Sequence, residues 1–97
     1  MIVEIECIPQ PLGTADAPYA YVDAAIEVIQ ASGLRYEVEA LGTTVQGEPD
    51  DVWPLLRRVH EACLQAGAHS LVSVVKVAQT APGGDPATID GLTEPWR

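Results

Sequence analysis

The sequence predicts an α+β sandwich: a four-stranded antiparallel sheet with two helices on one face. Three observations carry that prediction. Apolar and polar residues alternate over residues 2–8 and 34–40, the period of a strand. Apolar residues recur at helical spacing over residues 22–29 and 52–66. Glycine or proline marks nearly every boundary between these stretches, so the order reads β-α-β-β-α-β.

Each element follows from its residues. In the first strand Val3, Ile5 and Cys7 take one face and Glu4 and Glu6 the other, with Pro9 and Pro11 as its end. Asp16 is the expected N-cap of the first helix, with Pro18 near its start, Val22, Ala25, Ile26 and Ile29 as its buried stripe and Gly33 as its stop. Residues 34–40 alternate again, and after the corner Leu41-Gly42 the β-branched run Thr43-Thr44-Val45-Gln46 makes the return strand. Asp50 and Asp51 favour a helix start, but Pro54 removes an internal hydrogen bond, which puts the regular second helix near Trp53. Its stripe is Val52, Leu55, Leu56, Val59, Cys63 and Ala66, and Gly67 ends it. Residues 71–78 are apolar on both faces, the pattern of a strand that is central or covered on both sides. The domain therefore spans residues 1–79, and residues 80–97 form an irregular Pro/Gly-rich tail with one turn around Ile89.

This is the ferredoxin-like arrangement, with both helices on one sheet face. The other face mixes Glu4, Glu6, Glu37, Glu39 and Lys76 with Ile2, Ile8 and Leu41. A half-apolar open face is rarely left to water, so a homodimer or homotetramer formed through it is expected.

Composition narrows the function. With five basic residues against fourteen acidic ones, the chain lacks the cationic surface that nucleic acid or an anionic membrane requires. No stretch approaches the ~20 apolar residues of a membrane span. The N-terminus carries no basic leader, and Cys7 and Cys63 make no disulfide framework, so a cytoplasmic protein with reduced, buried thiols is expected. His60 and Cys63 share a helix face but have no partner pair, so no metal is expected. Cys63 lies on the apolar stripe, where thiols are inert, and no nucleophile–base pair is legible.

What remains is binding. Two Gly-Thr corners, Gly13-Thr14 and Gly42-Thr43-Thr44, sit where predicted strands end, and each offers a flexible backbone beside a small hydroxyl. The strands feeding them carry four glutamates, which points to a small cationic or hydrogen-bond-donating ligand. Ordinary turn chemistry accounts for the corners as well, and solvation or pairing with Arg35 or Lys76 accounts for the glutamates.

The chain resembles the small thiamine-binding protein family. The residues that carry the resemblance are Ile8-Pro9, Leu12-Gly13-Thr14, Gly33-Leu34-Arg35-Tyr36-Glu37-Val38 and Gly42-Thr43-Thr44-Val45-Gln46-Gly47, with His60-Glu61-Ala62 and Val74-Val75-Lys76-Val77 in support. The Pro9-Gln10-Pro11 entry and the Pro/Gly tail depart from the pattern, the tail standing where a charged final helix is expected. The resemblance implies a ferredoxin-like fold assembled through sheet faces. It also implies binding of thiamine or its hydroxymethylpyrimidine moiety without catalysis or a cofactor. On that reading Glu37, with Glu39 and Glu6, offers a carboxylate to the aminopyrimidine. Thr43 or Thr44 orients the ring, Ile8 covers it, and Gly13 and Thr14 belong to the first corner. Two other readings stay open: a structural or regulatory oligomerisation module, and an enzyme of heterocycle metabolism with Glu37 as base.

Overall fold

The computed structural model describes residues 1–97. Its elements are β1 (Ile2–Gln10), α1 (Ala20–Ala31), β2 (Arg35–Val38), β3 (Thr43–Gln46), α2 (Pro49–Ala66), β4 (Ser70–Ala78) and α3 (Ile89–Thr93), followed by a single 3-10 turn over Glu94–Trp96. The first six are the expected β-α-β-β-α-β series. All pairings are antiparallel, in the order β2-β3-β1-β4. Both long helices cover one face, and Val3, Ile5, Val45, Ile29, Val52, Leu55, Val59 and Cys63 meet between the layers as the core.

Several boundaries differ from the sequence expectation. The fourth strand, expected to be central or covered on both sides, is an edge strand with exposed valines, and β1 lies between β3 and β4. Its doubly apolar pattern therefore leaves valines in solvent, with Val72 62% exposed. β1 runs through Pro9 to Gln10, pairing with β4 at Pro9↔Leu71 and Gln10↔Ser70. Its pairing with β3 stops at Ile5↔Thr43, and a proline costs a ladder bond only where its nitrogen faces a neighbour.

The first helix begins at Ala20, with no side-chain cap from Tyr19, rather than at Asp16. The Thr14 hydroxyl accepts from Ala17 N at 3.0 Å and Ala17 O accepts from Thr14 N at 2.9 Å, which diverts the chain into a turn before the helix. Gly33, at φ +76°, ends α1 as expected. The second helix begins at Pro49, not near Trp53, and passes through Pro54. Pro54 is the sixth helical residue, so its missing N–H strands only the carbonyl of Asp50, and both residues are exposed to water. Cys63 is fully buried, whereas Cys7 is only half-buried.

The other sheet face carries Ile2, Glu4, Glu6 and Ile8 from β1, and the pairings set Glu37, Thr44, Glu4 and Lys76 side by side across all four strands. The tail crosses the β2–β3 end of this face. Ile89 is buried, its amide donating to Gln46 Oε1 at 2.7 Å. Arg97 then reaches Glu37 at 2.9 Å, and Arg35 bridges Glu37 and Asp90 at 3.0 Å each. The β1–β4 end stays uncovered, with Ile8, Val72 and Val74 exposed.

Candidate functional site

The unequal lengths of β1 and β3 open a cavity. Beyond Ile5 the β3 side of β1 has no strand neighbour, and no loop backbone group bonds to residues 6–8. The chain between β2 and β3 turns away there, closed by a bond from Glu39 N to Gly42 O at 2.9 Å. A Cβ on Gly42 would stand 3.2 Å from Ile5 O, so glycine lets this turn run close against β1. The space enclosed by α1, β1 and the turn is about 240 Å³.

Its wall is mostly apolar: Val22 and Ile26 from α1, Ile5 from β1, and Val38 and Leu41 at the hairpin. Glu6, Glu39 and Thr43 supply the oxygen-bearing side chains, and no lysine or arginine lines the cavity. Thr43 is 5% exposed and its hydroxyl bonds to no protein group, yet no buried side-chain oxygen in the molecule lacks a partner. The remaining accessible surface of that hydroxyl therefore borders the cavity. Glu39 Oε1 accepts from Thr44 Oγ1 at 2.9 Å, which leaves its second oxygen unengaged. Glu6 forms neither an ion pair nor a side-chain hydrogen bond.

The structure thus brings Glu6, Glu39 and Thr43, with Gly42, to one place. It separates the other expected site residues from them. Glu37 lies further along the open face, where its Oε1 receives both Arg35 and Arg97. Thr44 and Ile8 belong to that face too, as does Glu6, and the Thr44 hydroxyl reaches Glu39. Glu6 and Glu39 therefore line the cavity from its open-face side, while Thr43 lines it from the helix side. Gly13 and Thr14 close their own loop away from the cavity, and a Cβ on Gly13 would fall 2.3 Å from Ala17 O. The sequence reading missed Cys7, Val22, Ile26 and Leu41 as wall residues. The signal available for them was the length mismatch between a long first strand and a four-residue third.

Electrostatics divide the two faces. On the open face, a hydrogen bond from Arg35 holds the Asp90 carboxyl below the usual carboxylate range, and hydrogen bonds to Glu37 and then Asp90 raise the Arg35 guanidinium. On the helix side, burial pushes the Cys63 thiol up to about 12, and the adjacent Cys7 adds to the shift. No group of three or more His, Cys, Asp or Glu side chains converges as a metal cage. No helix is long and apolar enough to cross a membrane.

The model of the thiamine-binding protein family matches residues 3–91. The chain belongs to that family. A UPF0045 protein of Methanothermobacter thermautotrophicus is 35% identical over 69 residues, covering 69% of this chain and 70% of the relative. One from Clostridium perfringens is 36% identical over 59 residues, covering 61% of this chain and spanning 62% of that relative's length. Among solved structures, a domain of unknown function, DUF77, from Bacillus cereus superposes with a TM-score of 0.88 at 34% identity, covering 99% of this chain and 88% of that one. A Thermotoga maritima protein, described as a candidate for thiamine biosynthesis or salvage, superposes at 0.81 and 25% identity, covering 99% of this chain and 97% of that one. The ferredoxin-like α+β fold is thus common to this family member and its structural neighbours, and the family match extends into the tail that carries α3.

Proposed function

We propose that this family member binds thiamine through its hydroxymethylpyrimidine moiety, or binds that moiety alone, in the cavity beside β1, and does so without catalysis. The observation that carries the reading is a half-open apolar slot of about 240 Å³ whose oxygen-bearing side chains are Glu6, Glu39 and Thr43. Drug-sized ligands fill roughly 300–1,000 Å³, so this slot suits one substituted ring with the rest of the molecule emerging at the mouth. An aminopyrimidine presents an amino donor beside ring nitrogens. The free oxygen of Glu39 accepts the amino group, and the Thr43 hydroxyl donates to a ring nitrogen. Val22 and Ile26 cover the ring. The thiazolium of the whole vitamin lies towards the mouth, where the two carboxylates favour its positive charge. The carboxylate role expected of Glu37 passes to Glu39, because Glu37 is occupied by two guanidinium groups. Association through the uncovered β1–β4 end of the open face, in a cytoplasmic homodimer or homotetramer, belongs to the same proposal and rests on the exposed Ile8, Val72 and Val74.

Titration calorimetry and thermal shift with thiamine, its phosphates and hydroxymethylpyrimidine test it. A ligand at a hundredfold excess over Kd stabilises the fold by about 2.7 kcal/mol. No shift with any of them at millimolar concentration overturns the reading, and turnover seen by mass spectrometry replaces it with an enzyme.

A further inference from the structure

Cys7, Ser73 and His60 form a chain of polar groups leading from the cavity wall towards the surface. Cys7 and Ser73 are cross-strand partners on β1 and β4, both on the helix-covered face. Ser73 Oγ lies 3.6 Å from Cys7 Sγ and 2.6 Å from His60 Nδ1 on α2. Cys7 is half-buried and lines the cavity, and His60 is half-buried at its other end. Cys63, with no exposed surface, lies against the Cys7 thiol. Its own proton is held tightly by burial, so at neutral pH it is a hydrogen-bond donor beside Cys7 rather than a competing thiolate.

A serine hydroxyl between a thiol and an imidazole has one productive arrangement. In the structure the Ser73 hydroxyl donates to Cys7 Sγ; turned onto His60 Nδ1 instead, it donates there and its oxygen accepts from the thiol. Removal of the thiol proton is then a two-hop shift that ends on His60, and the resulting thiolate accepts from Ser73 and Cys63. The charged residues lining the cavity are Glu6 and Glu39, with no lysine or arginine among them. They disfavour an anionic reactant and admit a neutral or cationic one.

We propose that Cys7 is a nucleophilic thiol, deprotonated by His60 through the Ser73 hydroxyl, which captures a small neutral or cationic disulfide entering the cavity. Cys7 Sγ bonds to one sulfur of the disulfide as its S–S bond breaks. Cys7 is oxidised to the mixed disulfide, the other half of the reagent is reduced, and the proton held on His60 restores it as a thiol. The proposal does not depend on whether an aminopyrimidine occupies the same cavity, since it concerns the wall thiol alone.

The experiment incubates the full chain with cystamine, or with glutathione disulfide as the anionic counterpart, and follows adducts by mass spectrometry. Trypsin separates the two cysteines, because Arg35, Arg57 and Arg58 lie between them. The expected result is one adduct, on Cys7, formed faster with cystamine than with glutathione disulfide. His60→Gln and Ser73→Ala each slow it about tenfold or more at neutral pH, Ser73→Thr restores the rate, and His60→Gln changes the shape of the pH–rate profile. Equal rates and equal pH profiles in the parent and both slow variants overturn the relay. An adduct on Cys63 overturns the proposal, and so does a native Cys7 that reacts more slowly than in the urea-unfolded chain, a comparison that needs no variant.

Discussion

The two Gly-Thr corners carry the same residue pair and end in different states. At the first, the Thr14 hydroxyl is used within its own loop and Gly13 is wedged against backbone atoms. At the second, Gly42 passes close to β1 with room that a small shift can supply, and the Thr43 hydroxyl is left without a protein partner at a cavity. Glu37 and Glu39 differ in the same way: two arginines occupy the first, and one oxygen of the second is unengaged. What distinguishes a binding group from a structural one is therefore hydrogen-bonding capacity left over once the fold is complete, and residue type alone does not report it.

Substitutions test this contrast. The largest effect belongs to Gly13→Ala, whose Cβ would meet backbone on three sides, with Ala17 O at 2.3 Å. It should cost about 3 kcal/mol or more, read as a lowered denaturant midpoint. If it costs less than about 0.5 kcal/mol, the first corner is not the closed structural element described above. Next comes Glu39→Gln, which should weaken aminopyrimidine binding by about 1.5–3 kcal/mol by calorimetry, with Glu37→Gln near parent affinity. The reverse ranking would move the site along the open face to Glu37.

Gly42→Ala is smaller in stability. Its Cβ meets Ile5 O at 3.2 Å, a contact that a few tenths of an ångström relieve. A cost below about 1 kcal/mol in unfolding is expected, with a larger loss in ligand affinity because the methyl narrows the slot. The smallest effect is that of Arg97→Ala, whose pairs with Glu37, Asp90 and Glu94 are largely solvated. Global stability should change by less than about 1 kcal/mol, and less still at high salt. Acid should loosen the same clamp. Because Arg35 lowers the Asp90 pKa, that contact supports the fold above the ordinary carboxylate range and is lost as pH falls through the lowered value. Deuterium exchange at the buried Ile89 amide, bonded to Gln46 Oε1, should report tail release over that acid range, and unchanged protection there would separate the tail from the ion pairs.

Much of the architecture was legible from periodicity, since alternation in β1 and β2 and the apolar stripes of the helices follow directly from which side faces the core. Strand order was less so: Val72, Val74, Val75 and Val77 look like a central strand because sequence registers apolarity on both faces but not which neighbours exist. Helix starts shifted where a local bond, such as Thr14 with Ala17, outweighed a good capping residue. In the site, Glu39 and Thr43 could be nominated by type and position. Their separation from Glu37 depends on Arg97, sixty residues away in the chain, and no local pattern encodes that pair. The cavity wall was illegible for a related reason. Val22 and Ile26 read as ordinary core until β3 proves too short to fill the space beneath them.

The shortness of β3 also provides an intrinsic readout of occupancy. Successive amides of an extended strand point to opposite sides, so among residues 6–8 of β1 at least one N–H faces away from β4 towards the unfilled space. That amide exchanges with solvent deuterium faster than its neighbours in the ladder, and an occupant that excludes water slows it. One backbone position can thus register whether the slot is filled, without any label on the ligand.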